Sequence, residues 1–112
     1  MLKAEVIGNI GRDAEAFEHD GREWVQFAVA HKTNRKDVNG EWQQVTEWLQ
    51  ISWRGNGGKI MQYLKKGARV FVRGELKPQR YTNANGELHI SLKIIASEVI
   101  LCGVREETQT TV

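Results

Sequence analysis

Residues 46–55 read TEWLQISWRG, and residues 63–76 read YLKKGARVFVRGEL. In the first stretch Leu49, Ile51 and Trp53 alternate with Trp48, Gln50, Ser52 and Arg54. Period-two alternation of apolar and polar residues marks a strand with one buried face. Leu49 and Ile51 therefore belong to a core, and Trp53 shares their face as a core or subunit-interface residue. Trp48 lies on the opposite, polar face together with Arg54. A flat indole and a guanidinium on the wet side of a sheet form a platform suited to stacking planar, unpaired bases. The second stretch repeats the alternation, with Val70 and Val72 set against Phe71 and Arg73.

Working outward, similar patterns recur. Residues 2–7 alternate, residues 23–31 place Val25, Phe27 and Val29 on one face, and Leu88, Ile90, Leu92 and Ile94 are in phase. The phase changes at Ile94-Ile95-Ala96, after which Ser97, Val99 and Leu101 share a parity, as a bulge or bend requires. His19-Asp20-Gly21, Asn39-Gly40 and Asn83-Ala84-Asn85-Gly86 are turn signals, since Asn, Asp and Gly accept positive φ. One segment has helical spacing: Ile60, Met61 and Leu64 predict a helix over 59–66, with Asn56 as a cap and Gly67 as its stop. Pro78 predicts an edge or a kink.

Three strands, a short helix and two strands form the element order of an all-β, five-stranded OB-fold Greek-key barrel, with the helix between strands 3 and 4. A small open β-sandwich is the alternative, but it has no need of a helix at that point. The 112 residues suffice for one domain with its own core. That domain is expected to span residues 1–102, followed by a short flexible C-terminal tail over 103–112.

Sixteen basic against fourteen acidic residues leave a net charge of only +2, so the distribution carries more information than the total. Basic residues cluster at Lys32, Arg35 and Lys36, at Lys65, Lys66, Arg69 and Arg73, and at Lys77 and Arg80. Each cluster is also readable as an ordinary solvated face. The single cysteine, Cys102, excludes an internal disulfide framework and fits a reducing cytoplasm. No apolar run is long enough to span a bilayer, and no leader pattern opens the chain, which argues for a cytoplasmic protein without membrane contact. His19, His31 and His89 are scattered without metal-ligand spacing, and the glycines at 55, 57 and 58 lack a phosphate-loop lysine. Neither an enzyme, a metal site nor a cofactor is expected.

Several short segments, in order, resemble the bacterial single-stranded DNA-binding protein family. They are Gly8-Asn9-Ile10-Gly11-Arg12-Asp13, Phe27-Ala28-Val29-Ala30, Thr46-Glu47-Trp48, Tyr63-Leu64-Lys65-Lys66-Gly67, Val72-Arg73-Gly74-Glu75-Leu76 and Ala96-Ser97-Glu98-Val99. The resemblance runs from about residue 2 to residue 101. It implies a homotetramer (a dimer is the other option) of OB folds that wraps single-stranded DNA in replication, recombination and repair, near the nucleoid. It places Trp48 and Tyr81 on stacking positions, and Lys66 and Arg80 on phosphate-binding positions. Arg54 falls where the family usually has a stacking phenylalanine. Arg35, or Asn34 with a different loop gap, falls where it has a tryptophan. Lys32, Lys36 and Lys77 complete the candidate DNA contacts. Arginine both stacks on bases and neutralises phosphate, so affinity is expected to lean on charge.

On the family's subunit interface, Phe71 and Arg73 match Lys3, Glu5 and Ile7 of the first strand, and a Glu5–Arg73 pair is expected. The family's acidic C-terminal tip is not visible after Glu106 and Glu107, so recruitment of repair partners through it is doubtful. That departure keeps open a replication-restart adaptor acting through protein partners. A third option is an RNA-binding OB module, against which the motifs argue.

Overall fold

The computed structural model describes residues 1–103; all of the expected tail except Gly103 lies outside them. Its strands are β1 (Lys3–Ile10), β2 (Glu15–His19), β3 (Arg22–Lys36), β4 (Trp42–Arg54), β5 (Arg69–Thr82) and β6 (Leu88–Cys102), with a 3-10 helix at Gly58–Tyr63 between β4 and β5. The sheet runs β1-β5-β6-β4-β3-β2, and β1 also pairs with β3 through Asn9 opposite Ala30 and Ile10 opposite Val29. That last pairing closes five strands into a barrel. Only β4 and β6 are parallel; the other pairs are antiparallel, as in an OB barrel.

Five strands were expected and six are present. The additional strand, β2, hangs on the outside of β3 and is exposed along its whole length, so it carries no apolar alternation to reveal it. Asp20 and Gly21, both at positive φ, make the two-residue turn between these strands.

The alternating residues meet inside the barrel. Val25, Val29, Val70, Val72 and Ile94 are fully buried, and Ile51 and Phe27 nearly so. Burial of each such side chain contributes about 1.5–3 kcal/mol. Trp53 is half-buried against this core. Gly8 makes the closure possible, because a Cβ there would stand 2.2 Å from the carbonyl oxygen of Ala30. The phase change in β6 is a bulge: Arg73 opposes Glu98 and Gly74 opposes Ala96, leaving Ser97 unpaired. It lies just beyond the triplet where the sequence first breaks phase.

The helix is shorter and tighter than expected. Gly57 and Gly58 both take positive φ, so no helical turn forms before residue 58, and Asn56 Oδ1 instead accepts the Gly58 N–H at 2.9 Å. Leu64 leaves the helical conformation and is completely buried at one end of the barrel, where its carbonyl accepts the Ala14 N–H at 2.8 Å. The helix therefore ends at Tyr63 instead of running to Lys66.

Two hairpins, β3–β4 and β5–β6, extend beyond the closed barrel as arms, since β6 pairs with β4 only over Leu92–Ala96. On the second arm Leu88 and Ile90 are exposed although they keep phase with buried Ile94. Pro78 lies there too, opposite Leu92, where β5 has run past its pairing with β1 and is a sheet edge. The two arm tips, Asp37–Glu41 and Asn83–Glu87, are built alike. The first side chain of each accepts two backbone N–H groups through Oδ1: Asn39 and Glu41 on Asp37, Asn85 and Glu87 on Asn83.

Candidate nucleic-acid interface

In the β3–β4 ladder Ala30 faces Trp48, Ala28 faces Gln50, Trp24 faces Arg54 and Lys36 faces Trp42. Directly opposed residues point to one side of a sheet, so the even-numbered residues of both strands share a face. Over residues 24–36 and 42–54 that face holds Trp24, Trp42 and Trp48, three of the four tryptophans, together with Lys32, Lys36 and Arg54. It carries no carboxylate on these two strands; Glu23 and Glu47 lie on the other side.

Trp48 is 53% exposed, yet one side of its indole is backed by main chain. A Cβ on Gly11 would fall 2.4 Å from ring atom Cζ3 and 2.7 Å from Cη2. Gly11 is itself tied to β3 by its N–H, donated to the Ala28 carbonyl at 3.0 Å. Arg12, Asp13, Glu15, Gln26 and Gln50 are the polar residues that line a concavity of about 230 Å³ around the ring. The small residues Ala28 and Ala30 leave this space open.

Six residues away along β4, at about 3.3 Å per residue, Trp42 stands some 20 Å from Trp48. It is 67% exposed, and Lys36 Nζ lies 5.2 Å from its ring centroid. Its ring is thus open to solvent with a cation beside it. Arg35 alternates to the opposite side of the arm, the side on which His31 Nδ1 and Glu47 Oε1 approach to 3.1 Å. The structure thus separates Arg35 from Lys32, Lys36 and Trp48, whereas Asn34 shares their face.

On the far side of β4, Lys93 of β6 registers with Gln50 and with Lys77 of β5, bringing both lysines to the tryptophan-bearing face. Lys77 also contacts Glu75 at 3.4 Å. Tyr81 is exposed on the second arm and stacks on His89, with centroids 5.3 Å apart. Arg80 registers with Ile90 and so faces away from its neighbour Tyr81, which puts the candidate phosphate and stacking residues of this arm on two faces. Lys66 is exposed, and its backbone N–H is donated to Asp13 Oδ1 at 2.9 Å, which holds it beside the Trp48 concavity. Sequence reasoning overlooked Arg12 and Lys93. Only register and barrel closure place them near Trp48, though Arg12 directly after a strand-ending glycine was a usable signal.

A second exposed face lies across β1, β5 and β6. Glu5 Oε2 accepts from Arg73 Nε at 2.7 Å and Glu98 Oε1 accepts from Arg73 Nη1 at 2.8 Å, so the expected Glu5–Arg73 pair is present with Glu98 as a third member. The hydrogen bond it donates to Glu5 holds the Arg73 guanidinium above its ordinary pKa. Arg73 also lies over the Phe71 ring, beside exposed Ile7 and Ile100, while Lys3 registers with Glu75 at the end of this face. Among the described residues no group of three His, Cys, Asp or Glu could hold a metal, and no helix is long and apolar enough to cross a membrane.

A model of the Single-strand binding protein family matches residues 1–102. A single-stranded DNA-binding protein of Xanthomonas axonopodis pv. citri is 35% identical over 107 residues, covering 94% of this chain and 59% of the relative. The mitochondrial single-stranded DNA-binding protein of Drosophila melanogaster is 33% identical, covering 85% of this chain and 66% of its own length. The chain thus spans about three fifths of the bacterial relative it matches. Among solved structures, a complex of the Plasmodium falciparum protein with single-stranded DNA superposes with a TM-score of 0.69 at 25% identity, covering 90% of this chain and 94% of that one. The small single-stranded DNA-binding protein of Streptomyces coelicolor shares the fold, with a TM-score of 0.68 at 19% identity, covering 88% and 91%.

Proposed function

The chain belongs to the single-strand binding protein family, and from that premise we propose that it binds single-stranded DNA without regard to sequence, protecting it in replication, recombination and repair. The observation that carries this is the shared face of β3 and β4, with three tryptophans, three cations and no carboxylate. Every base presents a π-face, so stacking on Trp48 and Trp42 is sequence-tolerant, at about 1–3 kcal/mol per base. Lys32, Lys36, Arg54, Lys77 and Lys93 supply the phosphate contacts on the same side, with Lys66 and Arg12 beside Trp48. Neutralised phosphates release counterions, so binding weakens as salt rises. Duplex DNA hides the base faces and cannot use the platforms. Arg80, Tyr81 and Arg35 would meet a strand that continues around the arms.

The β1–β5–β6 face is the proposed contact between copies, as a homotetramer or a dimer. Its apolar centre of Ile7, Phe71 and Ile100 is bordered by the Glu5–Arg73–Glu98 cluster. The place of work is the cytoplasm, at the nucleoid.

Titration with a long oligo(dT), followed by tryptophan fluorescence at low and high salt, tests the proposal. Saturable quenching that is reduced in Trp48→Ala is the expected result. Unquenched fluorescence and no binding at low salt would reject it.

A further inference from the structure

At the end of the β3–β4 face opposite Trp42, β2 adds a second aromatic ring. Phe17 registers with Trp24, and their rings stack with centroids 6.4 Å apart and planes 19° apart. Phe17 is 37% exposed and Trp24 is half-buried. Arg54 stands directly opposite Trp24 on β4. Beside the pair is a concavity of about 260 Å³, lined by Phe17, His19, Trp24, Gln26, Ser52, Lys93 and Ile95. Trp24 Nε1 is buried without an acceptor, so the polar edge of the indole is turned away from solvent. Such an unsatisfied donor is costly, and no hydrogen bond at Nε1 fixes the indole in this orientation.

From these contacts we propose that Phe17 and Trp24, with Arg54 and Lys93 at the rim, form a separate subsite for one unpaired nucleobase and its phosphate. The subsite rests on the single-stranded DNA reading and extends it. Trp24 shares a face with Trp48, Lys93 registers with Gln50 beside Trp48, and Gln26 borders both concavities, so a strand lying on Trp48 reaches the Phe17–Trp24 pair without leaving the sheet. The rim offers an ammonium and a guanidinium to a polyanion, and Glu15, opposite Gln26, is the one carboxylate on this face of β2. Without β2 this end of the sheet would have only Arg54 and the Trp24 edge. The additional strand therefore supplies a ring to the interface although it contributes nothing to the core.

The experiment is photocrosslinking of the intact chain to oligo(dT) carrying 5-iodouracil, with peptide mapping, beside affinity measurements on variants. Adducts on the peptides bearing Phe17 or Trp24, as well as on that bearing Trp48, are expected. Trp24→Leu keeps apolar packing and should weaken oligo(dT) binding roughly fivefold or more, given the usual strength of base stacking. Lys93→Gln, which removes no core group, should lower the log–log salt slope by about 0.7. Adducts confined to the Trp48 peptide, with unchanged oligo(dT) affinity in Trp24→Leu, would overturn the subsite and leave the broader function standing. Absence of both adducts and binding in the unaltered chain would overturn the function itself and the subsite with it.

Discussion

The ring of Trp48 rests on the backbone of Gly11, close enough that a single methyl group there would overlap ring carbon Cζ3 at 2.4 Å. A residue on β4 and one just beyond β1 thereby act as one device: the glycine supplies a flat floor, and the indole is held with its other side open. Gly11→Ala should displace the ring, which is the free end of a side chain, at little cost to stability. Its melting temperature should stay near that of the unaltered chain, while oligo(dT) affinity falls in the direction of Trp48→Ala. The contrasting change is Gly8→Ala, whose methyl would meet the main-chain oxygen of Ala30 at 2.2 Å. That variant should lose stability by several kcal/mol, because a strained β1–β3 closure cannot be relieved by a rotamer. Thermal unfolding of the two variants together separates floor from closure.

Trp48→Ala should weaken binding of short and long oligo(dT) alike, by about 1–3 kcal/mol for the lost base contact. Trp42→Ala, some 20 Å away along the strand, should affect only oligonucleotides long enough to reach the arm. Equal losses at every length would mean that Trp42 acts through the fold and not through contact.

Replacing Arg54 by phenylalanine exchanges a cation for a neutral platform. Stacking is kept and one phosphate contact is removed, so the log–log salt slope should become shallower by about 0.7. Affinity at high salt should then match or exceed that of the unaltered chain. An unchanged slope would show that Arg54 meets no phosphate.

The two arm tips should respond differently to acid. The Asp37 carboxylate lies below its ordinary pKa, chiefly because it accepts the Glu41 backbone N–H, with smaller help from Gln43 and Asn39. A carboxyl whose folded pKa is depressed contributes stability above its unfolded value, near 3.9, and loses it as pH falls through the folded value. Protection of the Asn39 and Glu41 amides, taken relative to their intrinsic exchange rates, should therefore fall below about pH 4. The matching amides on Asn83, an uncharged acceptor, should show no such step. Asp37→Asn should make the first tip as indifferent to acid as the second.

Arg73→Glu would place three carboxylates where Glu5, Arg73 and Glu98 now pair. If the face carrying Ile7, Phe71 and Ile100 joins copies of the chain, the assembled mass should drop, as sedimentation will read. An unchanged mass in a folded variant would remove that face from the interface.

Sequence by itself determined the strands and their buried faces. Alternation in β1, β3, β4, β5 and the inner part of β6 is a property of neighbouring residues, and only a sheet buries one parity of such a pattern. The turns at Asp20-Gly21, Asn39-Gly40 and Asn85-Gly86 were legible for the same reason, since positive φ is a local demand. The outward direction of Trp48 followed from its parity against Leu49 and Ile51. What the tertiary structure decided was everything that needs a partner strand. β2 has no apolar pattern and exists because β3 offers an edge. Which parity of β3 joins which parity of β4 depends on register, and that register put Trp24, Trp42 and Trp48 on one face while turning Arg35 away. Arg80 and Tyr81 are adjacent in sequence, yet pleating parts them. Gly11 beneath Trp48 could not be inferred at all, because contacts between distant segments arise only when the barrel closes.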